Sequence, residues 1–401
     1  MLDLIIAFAL GVLAGTITGL TPGVHTNTVA VLAVGALPAL TKHFSLISIG
    51  VFLSVMVIVH TFLDFIPSIF LGAPDTDTAL GVLPGHKMLL RGEGYDALKL
   101  TVAGGVGSFL VGLIFLPIFF IFVEKGYPIL EKFVAPIIIS FSIVFILLEP
   151  NFKKRLWAVL IFMMSGALGL LVLNSINIRD SLFPLLSGLF GISTLLISSF
   201  SNSKIIEQKF SDKIEIFSLA NIWNCVKAAL SSALMSVLPA LGSAQAAVIS
   251  QAFTRKNNEG KDFLVLVGGI NTVSALFVLT TLYLIGRART GVIAAMKQFL
   301  VLDFNGYLVL ITASFAAVGI SVILTLWLGK FFANKIQKLN YRKLSLGIIA
   351  FVVLLVGIFS GWLGLLVLSV STAIGLLAPK VGCKRIHAMG AIVLPVVFYF
   401  I

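Results

Sequence analysis

The chain alternates long apolar runs with short polar breaks. Unbroken apolar stretches occupy roughly residues 99–123, 133–149, 155–173 and 181–200, with a few polar residues between them. Each is close to the roughly 20 apolar residues that a membrane-spanning helix needs. They lack the in-out alternation of barrel strands, which excludes a β-barrel. A further helix is predicted over 45–66, with His60, Thr61 and Asp64 near its end. Other runs are interrupted. Residues 4–20 and 24–40 are two arms near the lower length limit for a span, joined at Thr21-Pro22-Gly23. This predicts a re-entrant helical hairpin over 4–40, and a second is expected over 217–253. Two segments read as broken helices. One is 68–98, with Gly72-Ala73-Pro74, Gly81 and Pro84-Gly85; the other is 284–300, with Gly286-Arg287-Ala288-Arg289-Thr290. Broken backbone at membrane depth survives only where protein buries it or where it lines a cavity. The breaks and hairpin tips are therefore candidate binding elements.

Composition agrees with a polytopic helical membrane protein of about 10–12 hydrophobic segments. Of 401 residues, 59% are hydrophobic and 11% charged, against about 25% charged in soluble domains. The net charge of +12 fits cytoplasmic loops rich in Lys and Arg, so no nucleic-acid partner is expected. Asp3 precedes the first apolar run, and no signal peptide is read there. Cys225 and Cys383 lie far apart, and neither a disulfide nor a metal site is expected. The basic loops 149–155, 201–216, 254–261, 330–343 and 380–385 all fall inside if the positive-inside rule holds. That placement makes 344–379 a two-span hairpin. It also opens the first re-entrant hairpin from outside and the second from inside, the pattern of an inverted repeat.

Sequence similarity between the halves supports duplication. ALMSVLPALGSAQAAVI (233–249) follows TITGLTPGVHTNTVAVL (16–32), with Pro239 on Pro22. Asn271-Thr272 falls on His60-Thr61, the GRART break lies opposite Gly72 to Thr76, and Gly306-Tyr307 falls on Gly94-Tyr95. The shared offset is about 210–217 positions. The expected units are a first inverted repeat, 1–203, a second, 217–401, and a cytoplasmic linker, 204–216.

Candidate chemistry sits at the breaks. At the first tip, Thr21, Gly23, His25, Thr26, Asn27 and Thr28 surround a helix N-terminus, where free N–H groups favour an anion. Gly242, Ser243 and Gln245 take comparable places at the second. Arg287 and Arg289, beside Thr290, can grip a carboxylate or phosphate bidentately. Asp64, Asp75 and Asp77, with His60 and Asn271, are candidates for ion coupling or gating, because intramembrane ionisable groups are costly and usually functional. Each has a plainer reading as well: a capped loop for the acids, a plain turn for the arginines, an interhelical hydrogen bond for His60 and Asn271. His86, Lys87 and Arg91 read as surface charges. No nucleophile–base pair has catalytic spacing and no P-loop is present, so neither an enzyme nor an ATP-driven pump is expected.

The stretches GTITGLTPGVHTNT (15–28), LGAPDTDTALGVLPGHKMLLRGEGYDALKL (71–100), VLPALGSAQAAV (237–248) and FLVLVGGINTVSA (263–275) resemble the large membrane subunit of the tripartite tricarboxylate transporters. The break can be followed through Pro74, Pro84, Met88, Arg91, Gly92 and Glu93. The chain departs at Pro239-Ala240, where the family has Pro-Gly, and at Asp75, where it has glycine. Gly269 to Thr272 replaces an acid-rich motif. The resemblance implies transport, with a small membrane partner and an extracytoplasmic binding protein. The leading expectation is a secondary transporter of an organic anion, with Na⁺ or H⁺ as coupling ion and no other cofactor, in the plasma membrane of a prokaryote. The alternative is a translocase for an anionic lipid such as polyprenyl phosphate. Membrane lipids are its surroundings, and a homodimer is compatible with either.

Overall fold

The computed structural model describes residues 2–21, 26–71, 82–175, 178, 181–200, 207–210, 218–237, 260–336 and 341–400. Those residues are helical with short connections. Among the described residues, seven helices are long and apolar enough to cross a membrane, and three shorter apolar helices accompany them. The elements that position the site are α1 (Leu2–Leu20), α2 (Thr26–Gly35), α3 (Leu46–Leu63), α4 (Val82–Leu90) and α5 (Gly94–Ile121). An outer group comprises α6 (Val134–Leu147), α7 (Phe152–Leu173), α8 (Leu182–Leu186) and α9 (Ser193–Phe200). Then come α10 (Leu219–Val237), α11 (Lys261–Ile285), α12 (Gly291–Phe299), α13 (Phe304–Ile336), α14 (Tyr341–Lys380) and α15 (Gly390–Phe400).

Two helices are central. The most apolar stretch of α3 is 78% buried and that of α11 is 89% buried, whereas α1, α5 and α7 bury only about a third or less of theirs. The latter turn Leu, Ile and Phe side chains outward, as lipid-facing helices do. α3 starts cleanly because Ser45 accepts the Ser48 N–H at its N-cap. It continues past Asp64 into a π-turn over Pro67–Leu71, where proline supplies no backbone donor.

Small residues set the helix spacing. α1 lies on α3 through Gly11, Gly15 and Gly19. A Cβ at these positions would sit 2.7 Å from the Phe52 carbonyl oxygen, 2.6 Å from that of Met56 and 2.7 Å from the Leu63 Cβ. This small-xxx-small spacing brings backbones together where lipid offers no hydrophobic drive. The contacts advance in step, so α1 runs parallel to α3, and Asp3 accepts hydrogen bonds from the Ser45 and Ser48 hydroxyls at their common start. α10 lies on α11: a Cβ on Gly269 would sit 2.9 Å from the Ala228 Cβ, and the Ser232 hydroxyl donates to the Ile270 carbonyl at 3.2 Å. α5 packs tightly on α11, and α13 on α3.

α14 contains the turn expected between two spans. At Gly361 the backbone turns to φ 68°, ψ −164°, where two helices meet. A Cβ at Gly364 would lie 3.3 Å from Val356, and one at Gly357 would lie 3.8 Å from Leu365. Such approaches are impossible along a straight helix rising 1.5 Å per residue, so the chain folds back on itself. Val352, Val356 and Leu368 from the two arms share one buried cluster with Phe183, Ile192 and Leu195.

Residues 207–210 are strapped onto the α4–α5 corner. Gln208, 3% exposed, accepts the Gly94 N–H at 2.9 Å and donates to the Leu89 carbonyl at 3.0 Å. The Lys209 N–H donates to the Gly92 carbonyl at 2.7 Å. The α12–α13 corner needs no such help, because Asp303 accepts the Gly306 N–H at 2.8 Å. Gln208→Ala leaves two buried backbone groups without these partners, each worth about 1–3 kcal/mol. The expected result is a lower thermal midpoint; an unchanged midpoint would show that the strap does not hold the corner.

Candidate functional site

The interior of the bundle is crossed by polar side chains from α1, α3 and α11. Thr18, His60, Thr61, Asp64, Asn271 and Thr272 are all buried. His60 Nδ1 and Thr18 Oγ1 share a 3.1 Å hydrogen bond. The Thr18 hydroxyl also lies 3.3 Å from the Gly15 carbonyl of its own helix. Thr61 and Thr272 hydroxyls meet across 3.4 Å where α3 crosses α11. α5 closes over the crossing at Gly105, where a Cβ would lie 2.9 Å from both the Phe62 ring and Thr272 Oγ1.

Asp64 is 3% exposed and Asn271 is 4% exposed. Asn271 Nδ2 donates to Asp64 Oδ2 at 3.0 Å and to the Thr61 carbonyl at 3.2 Å. Both partners are acceptors, which fixes the amide orientation. The arrangement joins a carboxylate on α3 to an amide on α11. It lies where α1 ends, since a Cβ on Gly19 would be 3.3 Å from the Asp64 N–H nitrogen.

α2 reaches the break after α11. α11 ends at Gly286 in left-handed backbone (φ 61°), which glycine adopts without strain. Residues 286–290 are then non-helical until α12 begins. Two side chains take up the first N–H groups of α12. Thr290 Oγ1 accepts from Ile293 at 3.3 Å, and Asn27 Oδ1, from α2, accepts from Val292 at 3.1 Å. Gly291 admits this approach, because a Cβ there would sit 2.7 Å from the Asn27 Cγ. The Arg287 guanidinium lies 5.0 Å over the ring of the buried Tyr127, a cation–π contact. Arg289 is half-buried on the same stretch.

Of the residues singled out in sequence, His60, Asp64 and Asn271 are thus gathered in one polar belt. Thr21 ends α1 beside it, with its N–H on the Ile17 carbonyl. Thr26 begins α2, and Asn27, Thr290, Arg287 and Arg289 gather at the second break. Gly23, His25, Asp75, Asp77, Gly242, Ser243 and Gln245 lie outside the described residues, as does the Thr28 side chain. His60 does not meet Asn271, its match in sequence; it turns to α1, while Asn271 reaches Asp64. That pair joins residues 207 positions apart, and no local pattern announces it. Among the described residues no group of three His, Cys, Asp or Glu side chains is placed to hold a metal.

These elements define a polytopic membrane protein with a polar interior at a crossing of central helices. The model of the tripartite tricarboxylate transporter TctA family matches residues 5–390. The chain belongs to this family, which is one of transporters and not of enzymes. An uncharacterized protein of Methanocaldococcus jannaschii is 33% identical over 406 residues, covering 98% of each chain. No solved structure matches the chain.

Proposed function

We propose that the chain is a secondary active transporter of a carboxylate-type organic anion, coupled to Na⁺ or H⁺. The observation that carries this is the buried carboxylate of Asp64, joined to Asn271 across the crossing of two central helices. An ionisable group in that position is costly, and its place beside the end of α1 suits coupling. The substrate would lie between the two hairpin tips and the two breaks, held by the hydroxyl and amide groups of Thr21, Gly23, His25, Thr26, Asn27 and Thr28 on one side. Gly242, Ser243, Gln245, Arg287, Arg289 and Thr290 would form the other side, with Asp75 and Asp77 gating.

The same reading takes the halves, 1–203 and 217–401, as inverted repeats joined by 204–216. Packing supports it. Gly11, Gly15 and Gly19 of α1 correspond at the tip offset to Ala228, Ser232 and Ser236 of α10; the glycines face α3, and Ala228 and Ser232 face α11. Thr61 touches Thr272, its counterpart 211 positions on, as residues at a two-fold axis must. Tyr95, at the start of α5, donates to the Leu326 carbonyl near the end of α13. Tyr307, at the start of α13, packs its ring 5.9 Å from Phe120 at the end of α5. α5 and α13, one corresponding pair, therefore run antiparallel, as inversion requires. The first hairpin starts and finishes at one end of α3, since Asp3 meets Ser45. Its first arm, α1, ends near Asp64, while the span of α3 continues to Leu71, about 10 Å further at 1.5 Å per residue. That supports a re-entrant hairpin.

A prokaryotic plasma membrane, a small membrane subunit and an extracytoplasmic binding protein fit the family. Thermal shift of the purified protein with di- and tricarboxylates and with a short-chain polyprenyl phosphate tests the substrate class. A shift with a carboxylate, lost in Arg289→Gln, is expected. A shift with the lipid phosphate alone would replace this reading with lipid translocation.

A further inference from the structure

The outer helices carry a second charged feature, remote in sequence from the tips and breaks. The loop before α7 and the loop after α14 are more than 200 positions apart, yet they are locked together. Glu149 Oε1 accepts the Lys384 N–H at 2.9 Å and lies 3.0 Å from His387 Nε2. The Glu149 carbonyl accepts from Arg155 Nε at 2.9 Å, and the Cys383 thiol donates to the Lys154 carbonyl at 3.4 Å. Arg385 turns inward to the Phe190 carbonyl and the Thr194 hydroxyl. Burial would raise the Glu149 carboxyl, but the Lys384 N–H and His387 hold it below the usual range.

This locking gathers Lys153, Lys154, Lys380 and Lys384 on one rim. Lys153, Lys380 and Lys384 are exposed and Lys154 is half-buried. The Lys154 Nζ lies over the Gly382 turn, 3.5 Å from where a Cβ would be, so its ammonium sits between the two loops. Glu149, whose carboxylate is 2% exposed and accepts the Lys384 N–H, offsets one of these four charges and leaves the rim net positive. Gathered like charges repel and call for a counter-ion. The rim also marks the ends of two membrane spans, since one begins at Phe152 and the other ends at Lys380. Immediately along α7, Phe152, Leu156 and Leu160 are 81%, 53% and 44% exposed, an apolar strip leading away from the cations.

We propose that this rim binds the phosphodiester headgroup of an anionic phospholipid, with its acyl chains along the exposed strip of α7. The ammonium groups supply charge and donors, each worth about 1 kcal/mol near a membrane surface. The strip explains why the ligand is a lipid and not a free anion. The site is independent of the transport reading, as it uses none of those residues.

The test compares the full chain in nanodiscs of phosphatidylcholine with and without phosphatidylglycerol. It reads bound phosphatidylglycerol by native mass spectrometry and the thermal midpoint in low and high salt. Retained phosphatidylglycerol and a midpoint raised by it, with the rise shrinking in high salt, are expected. In the triple variant Lys153→Gln, Lys154→Gln, Lys384→Gln, retention should fall at least tenfold. Equal retention by variant and parent, an equal midpoint in phosphatidylcholine alone, or the same stabilisation by inorganic phosphate would overturn the proposal. Should the variant fail to fold, the salt dependence and phosphate comparison on the parent still decide.

Discussion

Asp64→Asn is expected to give a folded protein in which anion binding no longer responds to Na⁺ or pH. The substitution preserves shape, and the new amide can still accept the Asn271 Nδ2 hydrogen bond now made at 3.0 Å, so folding loses little. It does remove the charge. Coupling between an ion and a substrate is a free energy of about 1–3 kcal/mol, a factor of about 5–150 in affinity, and it is reciprocal. If Asp64 carries the coupling, that factor should collapse to about one when the charge goes. Asn271→Ala should act differently: it leaves the Asp64 carboxylate buried without this donor, at a cost of about 1–3 kcal/mol, and should lower stability as well as coupling. A pair of isotherms, with and without the ion, distinguishes the two. Undiminished ion dependence in Asp64→Asn would move the coupling site elsewhere.

Gly104→Val should be among the most damaging single changes to the fold. An added Cβ would lie 1.9 Å from the Val265 carbonyl oxygen and 2.9 Å from its Cα. The contact is reciprocal, since a Cβ on Gly268 would lie 2.3 Å from the Thr101 carbonyl oxygen. These are backbone atoms, which no rotamer change can clear, so α5 and α11 must separate. Overpacking costs about 1–3 kcal/mol where side chains can yield, and more is expected here, where they cannot. Gly319→Ala, at a position with nothing within 4 Å, should be neutral or slightly stabilising by comparison. Thermal unfolding of both variants in the same detergent checks the contrast. A Gly104→Val midpoint level with that of Gly319→Ala would mean that the α5–α11 contact does not hold the bundle together.

Much of this was visible in the pattern of apolar runs. Membrane class, the break at 286–290 and the hairpin turn inside 344–379 follow from span length, glycine placement and loop charge. The basic loops at 149–155 and 380–385, placed on one side by charge alone, do meet through Glu149 and Lys384. Pairings between distant residues were not visible. Asp64 with Asn271 depends on how α3 crosses α11, and Asn27 with Val292 on how α2 meets α12. Neither crossing leaves a local signature. Gln208 was hidden more thoroughly, because a glutamine in a polar loop looks solvated until the corner it fills is known. The correspondence of Ala228, Ser232 and Ser236 with the glycines of α1 could have been read from the offset, but small residues of different kinds do not register as identities.

The central claim is that this buried belt links an ion to an organic anion. It is tested most directly by equilibrium binding of radiolabelled citrate, and of other di- and tricarboxylates, to the full chain in nanodiscs over a range of Na⁺ concentration and pH. Saturable binding of at least one carboxylate, tightened several-fold or more by one of the two ions in the parent and by neither in Asp64→Asn, is the predicted result. Carboxylate binding that ignores both ions, or no binding of any carboxylate, would contradict the account.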